Sequence, residues 1–165
     1  MKKIQQKYHE IWNNALFNDE KKISTHGNKL RTYRQFKSYF QFEPYLSLLP
    51  YGQRYILTRF RIGAHKLEIE KGRHYNIDVE KRICKLCNDG VEDETHFLLT
   101  CKSLSNIRDP FLNNIKEKYK NIELLDNNPM FIWLLSNEEK YVLCQVCALL
   151  KELNEHRDLL LATQN

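Results

Sequence analysis

The pattern that most constrains this chain is Cys84-Lys-Leu-Cys87, followed after eight residues by His96 and after four more by Cys101. Two cysteines separated by two residues can wrap a tight knuckle that aims both sulfurs at one point. Asn88-Asp89-Gly90 directly after Cys87 supplies the turn chemistry such a knuckle needs. The stretch from Glu92 to Leu99 predicts a short helix carrying His96, with Cys101 placed to close the set as that helix ends. Three thiolates and one imidazole suit a single Zn²⁺ ion, with bonds of ~2.3 Å to sulfur and ~2.0 Å to nitrogen. All four positions are filled by protein, so no coordination site is left to activate water, and the ion is expected to be structural. Zinc held this way contributes ~10–16 kcal/mol to local folding, more than so short a segment could gain from a core. The competing reading makes the cysteines ordinary buried residues and His96 a surface histidine.

Five cysteines, an odd number, fit a reducing compartment better than a disulfide scaffold. Cys144 and Cys147 repeat the CxxC spacing and His156 repeats the eight-residue gap, but the next position in register is Leu161. That stretch reads as continuous helix, which would put His156 about 13 Å along the axis from Cys147, too far to share an ion. Both cysteines are therefore expected in the core. No apolar run reaches the ~18 residues of a bilayer span. Met1-Lys2-Lys3 leads into a polar amphipathic stretch and not into a signal-peptide core. A cytoplasmic or nuclear protein, not a secreted one, is expected.

The rest of the pattern is mainly α: a helical domain with an embedded small CCHC zinc knuckle. Gly and Pro are scarce, at 5 and 4 residues, which leaves few breaks. Ile4, Tyr8, Ile11, Trp12, Ala15 and Leu16 form an amphipathic stripe. Residues 18–28 read as a loop. A second helix is expected over 29–40, with Leu30, Tyr33, Phe36 and Phe40 on one side, then a short segment opened by Pro44. A third helix runs over 53–64, with Ile56, Leu57 and Phe60 on its apolar face and Arg54, Thr58 and Arg61 on a neighbouring polar one. Gly72 reads as a turn. Helices are expected over 104–119, where Pro110 should begin or kink the helix, and from Pro129 to Leu135. A long final helix follows Asn137-Glu138-Glu139 and reaches about Leu160, with Val142, Val146, Leu149, Leu150 and Leu153 as its apolar stripe. Three regions result: a basic helical region over 1–81, the knuckle over 82–108 and a C-terminal helical region over 109–165.

Net charge is +5, unevenly spread: residues 1–82 carry 17 Lys/Arg against 8 Asp/Glu, and residues 83–165 carry 9 against 13. The first half is thus the side expected to meet a polyanion. Arg54, Arg59, Arg61, Lys66, Arg73, Lys81, Arg82 and Lys85 gather ahead of and inside the knuckle. Tyr55, Phe60, His65, His74 and Tyr75 are interleaved with them, Phe60 being a core candidate. Cations neutralise phosphates and exposed rings stack on unpaired bases. For each cation the plain alternative is a solvated surface residue. Glu92, Asp93 and Glu94 look superficially like acid–base machinery. With His96 committed to a metal they are better read as helix caps or as groups orienting the ligand.

Several segments together resemble the carboxy-terminal region of reverse transcriptases from non-LTR (LINE-like) retrotransposons. They are Lys-Leu-Arg-Thr-Tyr (29–33), Leu-Thr-Arg-Phe-Arg-Ile-Gly-Ala-His (57–65), Glu-Lys-Gly-Arg (70–73), Arg-Ile-Cys-Lys-Leu-Cys (82–87) and Val-Glu-Asp-Glu-Thr-His-Phe-Leu-Leu-Thr-Cys (91–101). That family carries a CCHC zinc motif downstream of its polymerase, and Cys84, Cys87, His96 and Cys101 match its ligands. The resemblance implies a region that helps hold RNA or DNA during target-primed reverse transcription, next to an upstream polymerase domain. It implies no small-molecule substrate. No Asp-Asp pair of the polymerase type occurs in the chain, so no polymerase activity is expected. The chain looks like the tail of such a polyprotein, either working or a truncated relic. The alternative is a structural or protein-interaction module, docking or self-associating through the long apolar helix, with no contact to nucleic acid.

Overall fold

Helix α8 (Lys140–Thr163) is the axis against which the chain packs. At 24 residues it spans about 36 Å. The computed structural model describes residues 2–17, 29–122 and 124–163; the loop expected over 18–28 lies outside them. Before α8 come α1 (Lys2–Phe17), α2 (Tyr33–Phe36), α3 (Tyr45–Leu48), α4 (Tyr51–Arg61), α5 (Glu68–His74), α6 (Ser105–Lys118) and α7 (Asn127–Ser136). Between α5 and α6 lie a 3₁₀ turn (Val79–Lys81), a π-helical turn (His96–Thr100) and a second 3₁₀ turn (Lys102–Leu104). Among the described residues there is no strand, only an isolated antiparallel bridge between Ile83 and Val91. The mainly α expectation holds.

Val142, Val146, Leu149, Leu150 and Leu153 are all buried, as their spacing predicts. Helices α4, α6 and α7 pack on α8, and one continuous core runs from Tyr45 to Leu153, taking in Cys84 and Cys101. The apolar face of α8, offered above as a docking surface, is therefore covered by the chain itself. Cys147 is buried and Cys144 half-buried, both facing Gln53 of α4. Burial pushes the Cys147 thiol up to about 12, so it behaves as a small apolar residue.

Pro50, extended at the cap position, starts α4. Gly63 ends it in a left-handed conformation, φ +67°. Its N–H donates to the Phe60 carbonyl at 3.2 Å and that of Ala64 to the Arg59 carbonyl at 2.7 Å, the paired bonds of a Schellman ending. A Cβ on Gly63 would also lie 2.8 Å from the Lys29 carbonyl oxygen.

Several elements differ from expectation. The second helix is a single turn, Tyr33–Phe36, because the preceding chain turns so that Arg31 reaches Glu70 and Glu94. Gly72 is inside α5 and not at a turn. The Arg82 side chain lies across it, and a Cβ there would sit 2.5 Å from Arg82 Cγ and Cδ. Pro110 stands inside α6. Pro110 and Asn106, whose carbonyl the missing N–H would have met, are both exposed, so solvent can satisfy that carbonyl. In α1 only Leu16 of the predicted stripe is buried, while Ile4, Tyr8 and Ile11 are exposed.

Candidate metal centre

The knuckle is a short hairpin. The Cys84 N–H donates to the Gly90 carbonyl at 3.0 Å and the Glu92 N–H to the Arg82 carbonyl at 2.9 Å. Between them Asn88 and Gly90 take positive φ, 52° and 79°, so the chain reverses within a few residues. The returning segment feeds the π-helical turn. There the Cys101 N–H donates to the His96 carbonyl at 2.8 Å, five residues back. An ordinary α-helix would put residues five apart on different faces. The wider π turn brings His96 and Cys101 round to the same side. The Asp93 carboxylate accepts the His96 N–H at 2.7 Å, the capping role expected of this acidic run.

The four predicted residues converge. One donor atom from each of Cys84, Cys87, His96 and Cys101 lies within 4.8 Å of every other, so the cluster can hold a metal ion. The Cys84 and Cys101 sulfurs are 3.8 Å apart, and Cys87 Sγ is 3.3 Å from His96 Nε2. Three thiols this close cannot all ionise unaided. Contact with Cys101, then burial, pushes the Cys84 thiol up to about 12. A cation is the group that would make all three thiolates favourable together. On the far side of the ring His96 Nδ1 is 3.3 Å from Thr100 Oγ1, which orients the imidazole so that Nε2 faces the sulfurs.

The surroundings are tied to the ligands by Glu92 and Glu94 of the expected acidic run and by three arginines, Arg31, Arg108 and Arg157, outside the sequence motif. Glu92 is buried, and Arg157 of α8 meets it with Nε to Oε1 at 2.7 Å and Nη2 to Oε2 at 2.9 Å. The same Oε2 accepts the Glu68 N–H at 2.8 Å, at the start of α5, and Oε1 lies 3.9 Å from Cys84 Sγ. Arg108 Nη1 donates to the Cys101 carbonyl at 2.8 Å. Glu94 accepts from Arg31 Nη2 at 2.6 Å and from His65 Nε2 at 2.8 Å. Burial alone would raise the Glu94 carboxyl, but the His65 hydrogen bond and Arg31 bring it down to about 2. A signal existed for Arg157: it falls four residues after Leu153, on the apolar stripe of α8, where an arginine needs an acid. For Arg31 and Arg108 there was none, because their partners are set by the chain's path.

The eight basic candidates separate in the same way. Arg61 and Arg82 are buried. Arg61 pairs with Glu43 at 3.1 Å, its guanidinium lying 4.7 Å from the ring centres of both Phe36 and Tyr45. Arg82 donates to the carbonyls of Ile77 and Ile69 at 2.7–2.9 Å. Neither can reach a phosphate, because each sits where the apolar pattern of its neighbours continues into the core. Arg54 is half-buried and donates to the Leu46 carbonyl at 2.7 Å. Arg73, also half-buried, pairs with Glu70 at 2.9 Å. Lys66, Lys81 and Lys85 are exposed, with Asp158, Asp78 and Glu68 at 3.2, 2.9 and 3.3 Å. Arg59 is exposed and donates to Ala64 and to the Tyr55 hydroxyl. Of the interleaved rings, Phe60 is core, His65 is half-buried with its side chain against Glu94, and Tyr55 and Tyr75 are exposed.

Nothing in comparisons with protein-family models, curated proteins or solved structures matches this chain. No helix among the described residues is long and apolar enough to cross a membrane.

Proposed function

We propose that this chain is a non-catalytic, zinc-pinned helical module that binds RNA or DNA, of the kind the sequence resembles at the carboxy-terminal end of non-LTR retrotransposon reverse transcriptases. The observation that carries the reading is the closure of four protein donors around one point, with the exposed Lys81 and Lys85 close by in the chain. A tetrahedral zinc ion has sulfur–sulfur edges of about 3.8 Å and sulfur–nitrogen edges of about 3.5 Å, and the distances above of 3.8 and 3.3 Å suit it. With four protein ligands the ion has no place for substrate, so its role is to order the hairpin and the π turn.

Binding falls to the exposed cations Arg59, Lys66, Lys81 and Lys85. Lys66 and Lys81 face solvent-exposed carboxylates, those of Asp158 and Asp78, whereas Lys85 faces the more buried Glu68 and Arg59 donates to the Ala64 carbonyl and the Tyr55 hydroxyl. Exposed pairs are worth only ~0–1 kcal/mol each, so a phosphate can displace the acid at little cost. The test is a salt titration of the zinc-loaded chain against a labelled oligonucleotide. Phosphate binding should weaken steeply between about 50 and 200 mM salt, whereas apolar docking should hardly change.

A second reading, an interaction module, rests on α1, whose Ile4, Tyr8 and Ile11 are left exposed at helical spacing. Sedimentation of the chain and of an Ile4→Gln, Ile11→Gln variant tests it. A salt-insensitive association lost in the variant would favour this reading.

A further inference from the structure

Helix α4 presents an aromatic surface that the core does not use. Tyr51 is 71% exposed and Tyr55 48%, and their rings stack with centres 6.1 Å apart and planes 25° apart. Arginines sit over both ends: Arg54 is 5.8 Å from the Tyr51 ring centre and Arg59 is 5.4 Å from that of Tyr55. Positions 51, 54, 55 and 59 share one side of the helix. The result is a pair of stacked rings with an arginine at each end, the rings and Arg59 open to solvent and Arg54 half-buried against the Leu46 carbonyl.

Tyr55 and Arg59 are also one wall of a cleft of about 310 Å³ between α4 and α8. Phe60 and Ala64 make its apolar lining, and Lys66 and Lys151 bring further cations to it. His65, another lining residue, is only 7% exposed. Its Nε2 is taken by Glu94, while its buried Nδ1 has no hydrogen-bond partner among the described residues. On the α8 side Glu155 and Asp158 line the cleft, each near a lysine: Lys151 at 3.9 Å and Lys66 at 3.2 Å.

We propose that the Tyr51–Tyr55 stack and the adjoining cleft form a site for unpaired bases of a single-stranded nucleic acid. The inference rests on the nucleic-acid reading above and narrows it to one face and one strand form. Unpaired bases offer flat faces to tyrosine rings, and the exposed Arg59 beside the Tyr55 ring can turn N–H groups to the phosphates. Acceptors in the cleft, Glu155 and Asp158, match the N–H donors on base edges. A duplex keeps its bases stacked on one another and cannot enter.

The test is fluorescence anisotropy of the full zinc-loaded chain with a labelled single strand of about 12 nucleotides, as RNA and as DNA, and with the matching duplex. Tyr51→Ala with Tyr55→Ala should weaken single-strand binding by ~10-fold or more, since stacking is worth about 1–3 kcal/mol per base. Duplex binding should change less than about two-fold, and Tyr51→Phe with Tyr55→Phe should restore the single-strand affinity because the rings remain. Both tyrosines are exposed, so zinc content and melting temperature should match the parent and exclude a folding defect. Single-strand affinity unchanged in the alanine pair overturns the inference and leaves the broader reading standing. No binding of either strand form by the parent at low salt overturns both, and leaves the tyrosine face to a protein partner.

Discussion

Arg157 and Glu92 meet side-on, two nitrogens to two oxygens, with both side chains at 2% exposure or less. They stand 65 residues apart, and their pairing joins the end of α8 to the hairpin that carries Cys84. Replacing Arg157 with Met leaves Glu92 charged, buried and unpaired, and should cost about 3–5 kcal/mol. The double variant Arg157→Met, Glu92→Gln should recover part of that loss. Chemical denaturation measures both. A single variant as stable as the parent would show the pair to be idle.

Zinc removal should act locally first. Cys87→Ser, or a strong chelator, should release one equivalent of metal and unfold residues near 82–101. Much of α8 should stay helical, because its stripe is buried by α4, α6 and α7. Hydrogen exchange distinguishes the two regions. Chelated protein with parent-like protection across the hairpin would rule out a metal-dependent fold.

Gly72→Ala should destabilise the protein by about 1–3 kcal/mol even though alanine is the better helix former. The new methyl would meet Arg82 atoms at 2.5 Å, and that side chain is held by hydrogen bonds to Ile69 and Ile77. Adding Arg82→Ala should make the Gly72 substitution nearly free. Thermal melts of the two singles and the double give the coupling.

The acid limb of stability should carry a contribution from Glu43. Burial alone would raise its carboxyl, but the Lys37 hydrogen bond and the charge of Arg61 hold it below the ordinary value. A folded pKa below the unfolded one gives stability that is fully present above ~4.3 and lost as pH falls through the lower folded value. Glu43→Gln should therefore cost about 1.5 kcal/mol or more at neutral pH, and the gap to the parent should close in acid. Zinc release at low pH affects both proteins alike. A gap independent of pH would contradict the assignment.

Arg61 and Arg59, two residues apart, should behave oppositely. Arg61→Ala should lower the melting temperature and leave oligonucleotide affinity of the folded fraction unchanged, since its guanidinium lies among Phe36, Tyr45 and Glu43. Arg59→Ala with Lys66→Ala should leave stability nearly unchanged and reduce the salt slope of binding by about 2. The converse result would place the basic surface elsewhere.

Periodicity and local chemistry were enough for the metal cluster and for most helices. Cys84, Cys87, His96 and Cys101 announce themselves by spacing, because a tetrahedral ion needs ligands at chain distances that a turn and a short helix can bridge. The stripe of α8 is legible for the same reason, since helical geometry relates neighbours three and four apart. Charge is less legible. A one-dimensional count treats Arg59, Arg61 and Arg82 alike, yet one is in solvent and two are in the core.

The sequence by itself determined a mainly helical chain and four residues able to grip one ion, because both depend on contacts between residues close along the chain. Only the tertiary structure decided that the face of α8 is covered, that Gly72 makes room for Arg82, and that Arg31, Arg108 and Arg157 serve the hairpin. Those outcomes depend on which distant segments meet. A buried charge finds its partner in space, and nothing in local spacing names a partner 65 residues away.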